Sequence, residues 1–460
     1  MPIFDDPFDQ ARSLKHCTCG RHQSQSEHDL ANPADVLHLA SGADNLITRV
    51  VESAVVRAMF PQDAQRRAFL RSVGAATAYS AIASIFPLGA GTALAAEPVG
   101  ALEKKQVNIG FLPITCATPI IMGQILGLYE KQGLQVTLHK AAGWETIRDK
   151  TFSGEFDASH MLAPMPLAFR LGLHGTPVSL VTPVLENLNG SSLCLAIKHR
   201  DNREPKQWKG FKFAVPFDYS VQNFLLREYL MQNGLDPERD VQVRAMTPPE
   251  MLNNMRSGAI DGFLGAEPFG QRAVYDGIGF IQLLSAELWD GHPCCAFTTS
   301  EKLVKEAPNT FAALFRSIIN ATNFTSQPKN GPSVAAAIAP AEYLNQPVSV
   351  LEQVLTGKYD DGLGNHKFVP RRVTFEAFPW QSMAVWLMHE LKRWDYLKKD
   401  VDYKQIAEAV FLATDARKQM SELGVKAPGT NIRKHVILGR EFNPDNADAY
   451  FKALPPRRSA

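Results

Sequence analysis

The chain reads as an α/β protein made of two similar lobes followed by a mostly helical part, and two observations carry that reading. Apolar strand-like runs alternate with helix-patterned stretches between residues 107 and 284, the arrangement that lays helices on parallel, doubly wound sheets. One short motif also occurs twice. Ser153-Gly154-Glu155-Phe156-Asp157 is followed by Pro164, and Ser257-Gly258-Ala259-Ile260-Asp261 by Pro268, at the same interval after the Asp. Each copy follows a helix-like stretch, beginning at Glu145 and Glu250, and reads as helix, glycine C-cap and short strand. An offset of about a hundred residues is too long for a solenoid and fits two facing lobes. Ligands of open α/β sheets bind beyond the carboxyl ends of strands, which directs residues 160–166 and 265–269 at the cleft between the lobes.

Taken in order, residues 1–65 form a leader extension. Within it Cys17, Cys19 and His22, with the later His28, offer thiolate and imidazole to a soft metal, and 35–59 has the apolar spacing of an amphipathic helix. Residues 66–95 carry the parts of a twin-arginine export signal: Arg66-Arg67-Ala68-Phe69-Leu70-Arg71, an uncharged small-residue run, and Ala93-Leu94-Ala95 as a cleavage site. Gly74, Pro87, Gly89 and Gly91 interrupt that run, which argues against a membrane span. No Cys follows the cleavage site, so a lipid anchor is not expected. The mature chain is expected to begin near Ala96 and to reach the periplasm through the twin-arginine export machinery.

The exported part divides into a first lobe segment at 96–197, a second lobe at 198–285, a return to the first lobe with the helical part at 286–430, and a surface-wrapping tail at 431–460. Strands are expected at 107–112, 134–138, 178–184, 193–197, 211–215, 241–245, 262–264 and 280–284, with helices such as 121–130 and 222–232 between them. After Glu301 the periodicity is helical, at 311–325, 348–355, 380–394 and 403–412.

Composition excludes several classes. Lysine and arginine total 48 against 47 acids, so no basic field exists to gather nucleic acid. The exported part contains no G-x-S-x-G, H-E-x-x-H, G-x-G-x-x-G or P-loop motif, and an enzyme is not expected. Cys295 with His292 nearby suggests an exported thiol enzyme only weakly, because no orienting acid accompanies the pair. Cys116, Cys194, Cys294 and Cys295 lack the spacing of a disulfide framework, and a bridge between the neighbours Cys294 and Cys295 would strain the backbone.

Six ordered segments carry a resemblance. They are 110–115 (GFLPIT), 144–149 (WETIRD), 160–166 (HMLAPMP), Leu188-Asn189-Gly190, Gly265-Ala266-Glu267-Pro268 and 287–293 (ELWDGHP). Together they resemble the nitrate- and bicarbonate-binding receptors of ABC importers, within the wider nitrate, sulfonate and taurine receptor group. The resemblance implies a two-lobed, type II-like periplasmic-binding-protein fold with a helical C-terminal part. It implies a receptor that closes on a small inorganic anion (bicarbonate, nitrate or cyanate) and delivers it to an ABC permease and ATPase complex. The alternative it leaves open is a sulfonate, taurine or pyrimidine-precursor ligand.

Carried over residue by residue, the resemblance makes Trp144 a ligand contact whose indole N–H donates to an anion oxygen, flanked by Glu145 and Thr146. It implies that Trp144→Ala weakens binding with little effect on stability. Ser191, Ser220, Gln222, Glu267, Pro268 and Cys295 complete the implied pocket. Ser191 stands where nitrate receptors tend to have glutamine, Gln222 where they have histidine, and Cys295 where they have lysine; Cys116 replaces an aspartate. A buried anion without that lysine lacks a positive partner, a penalty of several kcal/mol. Helix starts near Pro119, Thr146 and Gln222 offer backbone donors instead. Glu267 would repel an anion unless protonated, paired, or bridged by a cation such as calcium with bicarbonate; otherwise no cofactor is expected. Cys116, Cys294 and Cys295 can converge on a soft metal, although free cysteines more often pack as small hydrophobes.

Overall fold

The computed structural model describes residues 100–457. The leader, the twin-arginine segment and the candidate ligands Cys17, Cys19 and His22 lie outside the described residues. In chain order the strands are β1 Gln106–Phe111, β2 Gln135–Lys140, β3 Ala158–Leu162, β4 Leu180–Asn189, β5 Ser191–Ala196, β6 Lys212–Val215, β7 Gln242–Ala245, β8 Gly262–Ala266, β9 Gly279–Leu284, β10 Pro293–Ser300, β11 Lys358–Asp360, β12 His366–Phe368, β13 Val373–Thr374, β14 His435–Ile437 and β15 Arg440–Phe442. Ten of these, with β13, build two sheets, ordered β2-β1-β3-β10-β4-β13 and β7-β6-β8-β5-β9.

The two sheets share one plan. In the first, β1 runs parallel to β2 and β3, and β10 enters antiparallel between β3 and β4. In the second, β6 runs parallel to β7 and β8, and β5 enters antiparallel between β8 and β9. Each sheet therefore accepts a strand that the chain brings across from the other. The sheets are mixed, not wholly parallel as the alternation of elements suggested, because those two crossing strands run the opposite way.

The repeated motif has a physical cause. Asp157 Oδ2 accepts the Asn108 N–H and Asp261 Oδ2 the Lys212 N–H, both at 2.9 Å, so each Asp ties the start of a third strand to the strand beside it. Lys104 pairs with Asp157 and Lys198 with Asp261 at 2.6 and 2.8 Å. Gly154 and Gly258 end the preceding helices, Trp144–Phe152 and Pro248–Arg256, at φ of +77° and +78°, where a Cβ would be strained.

Several expectations shift. β5 pairs wholly in the second sheet, so the chain leaves the first sheet at Asn189-Gly190, before the 197/198 boundary. β10 was not anticipated, since Pro293-Cys294-Cys295 shows no alternation; it becomes a strand by insertion between β3 and β4. The 121–130 helix is two, Thr118–Ile125 and Leu128–Lys131, separated by Gly127 in the left-handed region. The tail is more than a wrap: β14 and β15 form a hairpin that buries Ile437 and Phe442, and the helix Ala447–Lys452 buries Tyr450. No described helix is long and apolar enough to cross a membrane.

Candidate functional site

The two lobes meet where their equivalent helices begin. Gly143 caps the helix Trp144–Phe152 and Thr247 caps Pro248–Arg256; a Cβ on Gly143 would lie 3.3 Å from the Thr247 methyl. Thr115, in the turn after β1, donates both its N–H (2.9 Å) and its hydroxyl (2.8 Å) to the carbonyl of Glu267, across the lobes. Gln222, in the first turn of the helix Val221–Gln232, reaches from the second lobe with Nε2 to Cys294 Sγ of β10 (3.2 Å) and to Ser191 Oγ (3.0 Å).

Behind these contacts lies a buried constellation. Trp144 sits at the first position of its helix with its ring edge against His160 of β3, centroids 5.3 Å apart. His160 Nδ1 accepts the Leu112 N–H at 3.4 Å, which assigns the proton of the neutral ring to Nε2. Burial lowers the His160 pKa to about 3, so the ring is neutral at physiological pH. Among the described residues, Trp144 Nε1, His160 Nε2 and Gln222 Oε1 have no hydrogen-bond partner. Buried polar groups are normally satisfied; here Trp144 and His160, rings in edge contact, each keep an N–H open.

Three thiols adjoin His160. Cys116 Sγ donates to Asn187 Oδ1 at 3.1 Å and lies 3.5 Å from Cys294 Sγ, and Cys295 Sγ donates to Cys294 Sγ at 3.9 Å. Successive side chains of a strand normally point to opposite faces; the register of β10 against β4 slips on both sides of Cys295, a bulge that lets both thiols converge. Hydrogen bonds from Cys116 and Cys295 hold the Cys294 thiol well below the usual thiol range, whereas burial pushes Cys116 and Cys295 up.

The residues named from sequence divide accordingly. Trp144, Ser191, Gln222 and Cys295 are all buried; Gln222 and Ser191 contact Cys294, Cys295 lies beside Cys294, and Trp144 meets His160. Ser220 is the N-cap of its helix, its hydroxyl accepting the Asn223 N–H. Thr146 is half-buried and Glu145 exposed. Pro268, preceded by a cis peptide bond, opens the helix Phe269–Tyr275. Glu267 is paired: Oε1 accepts from Arg372 Nη2 at 2.5 Å, and Oε2 from the Gln271 N–H at 3.1 Å. With both oxygens engaged and a guanidinium beside them, the donor set at Glu267 does not fit calcium, which needs several free oxygens. Sequence reasoning passed over Arg372, for which the adjacent pair Arg371-Arg372 gave no signal, and gave His160 no role beyond its place in the segment 160–166 directed at the cleft.

This two-lobed fold, with its contacts between lobes and open donors beside the interface, is that of the substrate-binding proteins of ABC importers, which are receptors, not enzymes. The chain belongs to the NMT1-like family, whose pattern matches residues 100–339. It is 26% identical over 397 residues to the bicarbonate-binding protein CmpA of Synechococcus elongatus, covering 78% of this chain and 88% of that one. It is 26% identical over 383 residues to the nitrate/nitrite binding protein NrtA of Nostoc, covering 77% and 86%. The nitrate import ATP-binding protein NrtC of Synechocystis is 28% identical over 388 residues, but this chain spans 57% of that relative's length. Among solved structures, the periplasmic nitrate-binding protein NrtA from Synechocystis superposes with a TM-score of 0.75 at 25% identity, over 77% of this chain and all of that one.

Proposed function

We propose that this protein is a periplasmic receptor that captures a small oxyanion, bicarbonate, nitrate or cyanate, and delivers it to an ABC permease and its ATPase. The observation that carries the reading is the pair of buried, unpartnered donors, Trp144 Nε1–H and His160 Nε2–H. An anion oxygen between them gains charge-assisted hydrogen bonds that water cannot reach to supply. Gln222 and Ser191 reach from the second lobe to Cys294 of the first, so a ligand touching both lobes favours the closed arrangement. Arg372 is committed to Glu267, which leaves the anion to neutral donors and the starts of the flanking helices. Relatives named for nitrate and bicarbonate binding, and ATP-binding proteins named for the same imports, support the ligand class and the partners. Export by the twin-arginine segment 66–95 belongs to the same proposal.

The test is thermal unfolding and calorimetric titration of the protein with bicarbonate, nitrate, nitrite, cyanate and taurine. A thousandfold excess over the dissociation constant stabilises by about 4 kcal/mol. A response to one small inorganic anion that is lost in Trp144→Phe supports the reading; a response to taurine alone replaces it with the sulfonate class, and silence throughout overturns it.

A further inference from the structure

We propose that Cys116, Cys295 and His160, with Cys294 beside them, bind a thiophilic d10 cation, monovalent copper or divalent zinc. One ligand atom from each of the first three residues lies within 4.8 Å of the other two, and all three residues are fully buried. Thiolate sulfur and imidazole nitrogen are the donors that soft cations select. Zinc bound to sulfur at about 2.3 Å sets neighbouring sulfurs about 3.8 Å apart; here Cys116 and Cys295 flank Cys294 at 3.5 and 3.9 Å.

Close thiols alone would be explained by packing, since free cysteine fills space as a small hydrophobe. Packing does not explain why the fully buried imidazole beside them, His160, keeps its Nε2 without a partner among the described residues. It also does not require the bulge that turns two successive cysteines of β10 to one side. The donors come from three segments of the first lobe: the turn after β1, β3 and β10. They are therefore positioned by the sheet and not by lobe closure, and the cation needs no anion to bind.

The two ligands use His160 differently. Ligation through Nε2 moves the ring proton to Nδ1, where it faces the Leu112 N–H instead of accepting from it. A bound cation thus removes the Nε2–H donor from the anion, and the two ligands compete for this ring.

The test uses the full chain, reduced and kept anaerobic, with Cu(I) and Zn(II) each titrated against a chromophoric chelator and no anion added. The expected result is one equivalent held at the cluster, weakened at least tenfold in Cys295→Ser and in the Cys116→Ser/Cys295→Ser double variant, and unaffected by Cys17→Ser/Cys19→Ser in the leader. His160→Gln should weaken it comparably, with circular dichroism confirming that each variant is folded. Cadmium gives an independent readout: its thiolate charge-transfer absorption should appear with the wild-type chain and vanish in the double variant. Retention of no cation by the reduced, folded chain, or retention that survives loss of Cys116 and Cys295, overturns the proposal. Trp144→Phe separates it from the anion reading, since that variant should lose anion affinity and keep cation affinity.

Discussion

Arg372 Nη2 lies 2.5 Å from Glu267 Oε1 with both side chains fully buried. The pair joins the C-terminal part of the chain to the turn that carries the cis Glu267-Pro268 bond. Arg372 also donates to Gln271 Oε1 at 2.6 Å and stacks its guanidinium 4.2 Å from the Tyr359 ring centroid. Gly270 permits the approach of this turn to β5, because a Cβ there would fall 1.9 Å from Ser192 Oγ.

Breaking that pair from one side leaves a buried charge without its counterpart. Arg372→Leu is expected to destabilise the chain by about 3–5 kcal/mol. Adding Glu267→Gln should recover part of the loss by removing the stranded carboxylate. Urea unfolding of the single and double variants checks this, and a single-variant loss below about 1 kcal/mol would mean that water reaches the site.

Trp144 is packed as well as polar. It is only 1% exposed, so Trp144→Ala is expected to cost about 3–5 kcal/mol of stability, unlike the near-neutral effect implied by the family resemblance. Trp144→Phe keeps most of the volume and removes the donor. It should weaken anion binding by about tenfold to a hundredfold, the worth of a hydrogen bond to a charged group, with unfolding close to wild type. Calorimetric titration reads the first and thermal unfolding the second.

Gln222 offers a charge test of the same site. Gln222→Glu and Gln222→Leu both remove the Nε2 donor to Cys294 and Ser191, but only Glu adds a carboxylate beside a bound anion. At pH 8 Glu should cost at least about tenfold more affinity than Leu. Equal losses would place the anion away from Gln222.

Glu186, on β4, sets a pH dependence. It is fully buried, neither carboxylate oxygen has a hydrogen-bond partner among the described residues, and burial raises its pKa well above the usual carboxyl range. The folded chain keeps this proton after the unfolded chain has released it. The stability it contributes is therefore complete below the unfolded pKa, near 4.3, and is lost as pH rises toward the folded value. Relative to wild type, Glu186→Gln should make the slope of unfolding free energy against pH more positive between pH 5 and 8, measured by urea titration of both chains, since the buried histidines His160, His292, His389 and His435, lowered by burial, contribute the opposite sign in each. Glu390, raised in the same direction, leaves some slope in the variant. An unchanged slope would show Glu186 to be ionised in the folded state.

Much of the fold was legible because its signals are local. The two S-G-x-x-D motifs combine a glycine C-cap with an aspartate that binds the neighbouring strand, and both are chosen within a few residues of sequence. β10 was not legible: Pro293-Cys294-Cys295 has no strand periodicity, and only the two strands flanking it supply its hydrogen bonds. His160 was not singled out, because a histidine in an apolar, proline-rich run gives no local signal; its contacts with Trp144 and the thiols appear only in the folded chain.

By itself, then, the sequence determined the paired lobes, the helix-like stretch from Glu145 and the order of the segments that reach the cleft, since periodicity, capping and turn chemistry act over short spans. Tertiary structure alone decided that Glu267 is neutralised by Arg372 instead of standing open to a cation. It alone decided that Cys116, His160, Cys294 and Cys295 meet, and that two N–H donors stay unpartnered among them. These are contacts between residues far apart in the chain, and their energies arise from burial, which no local pattern encodes.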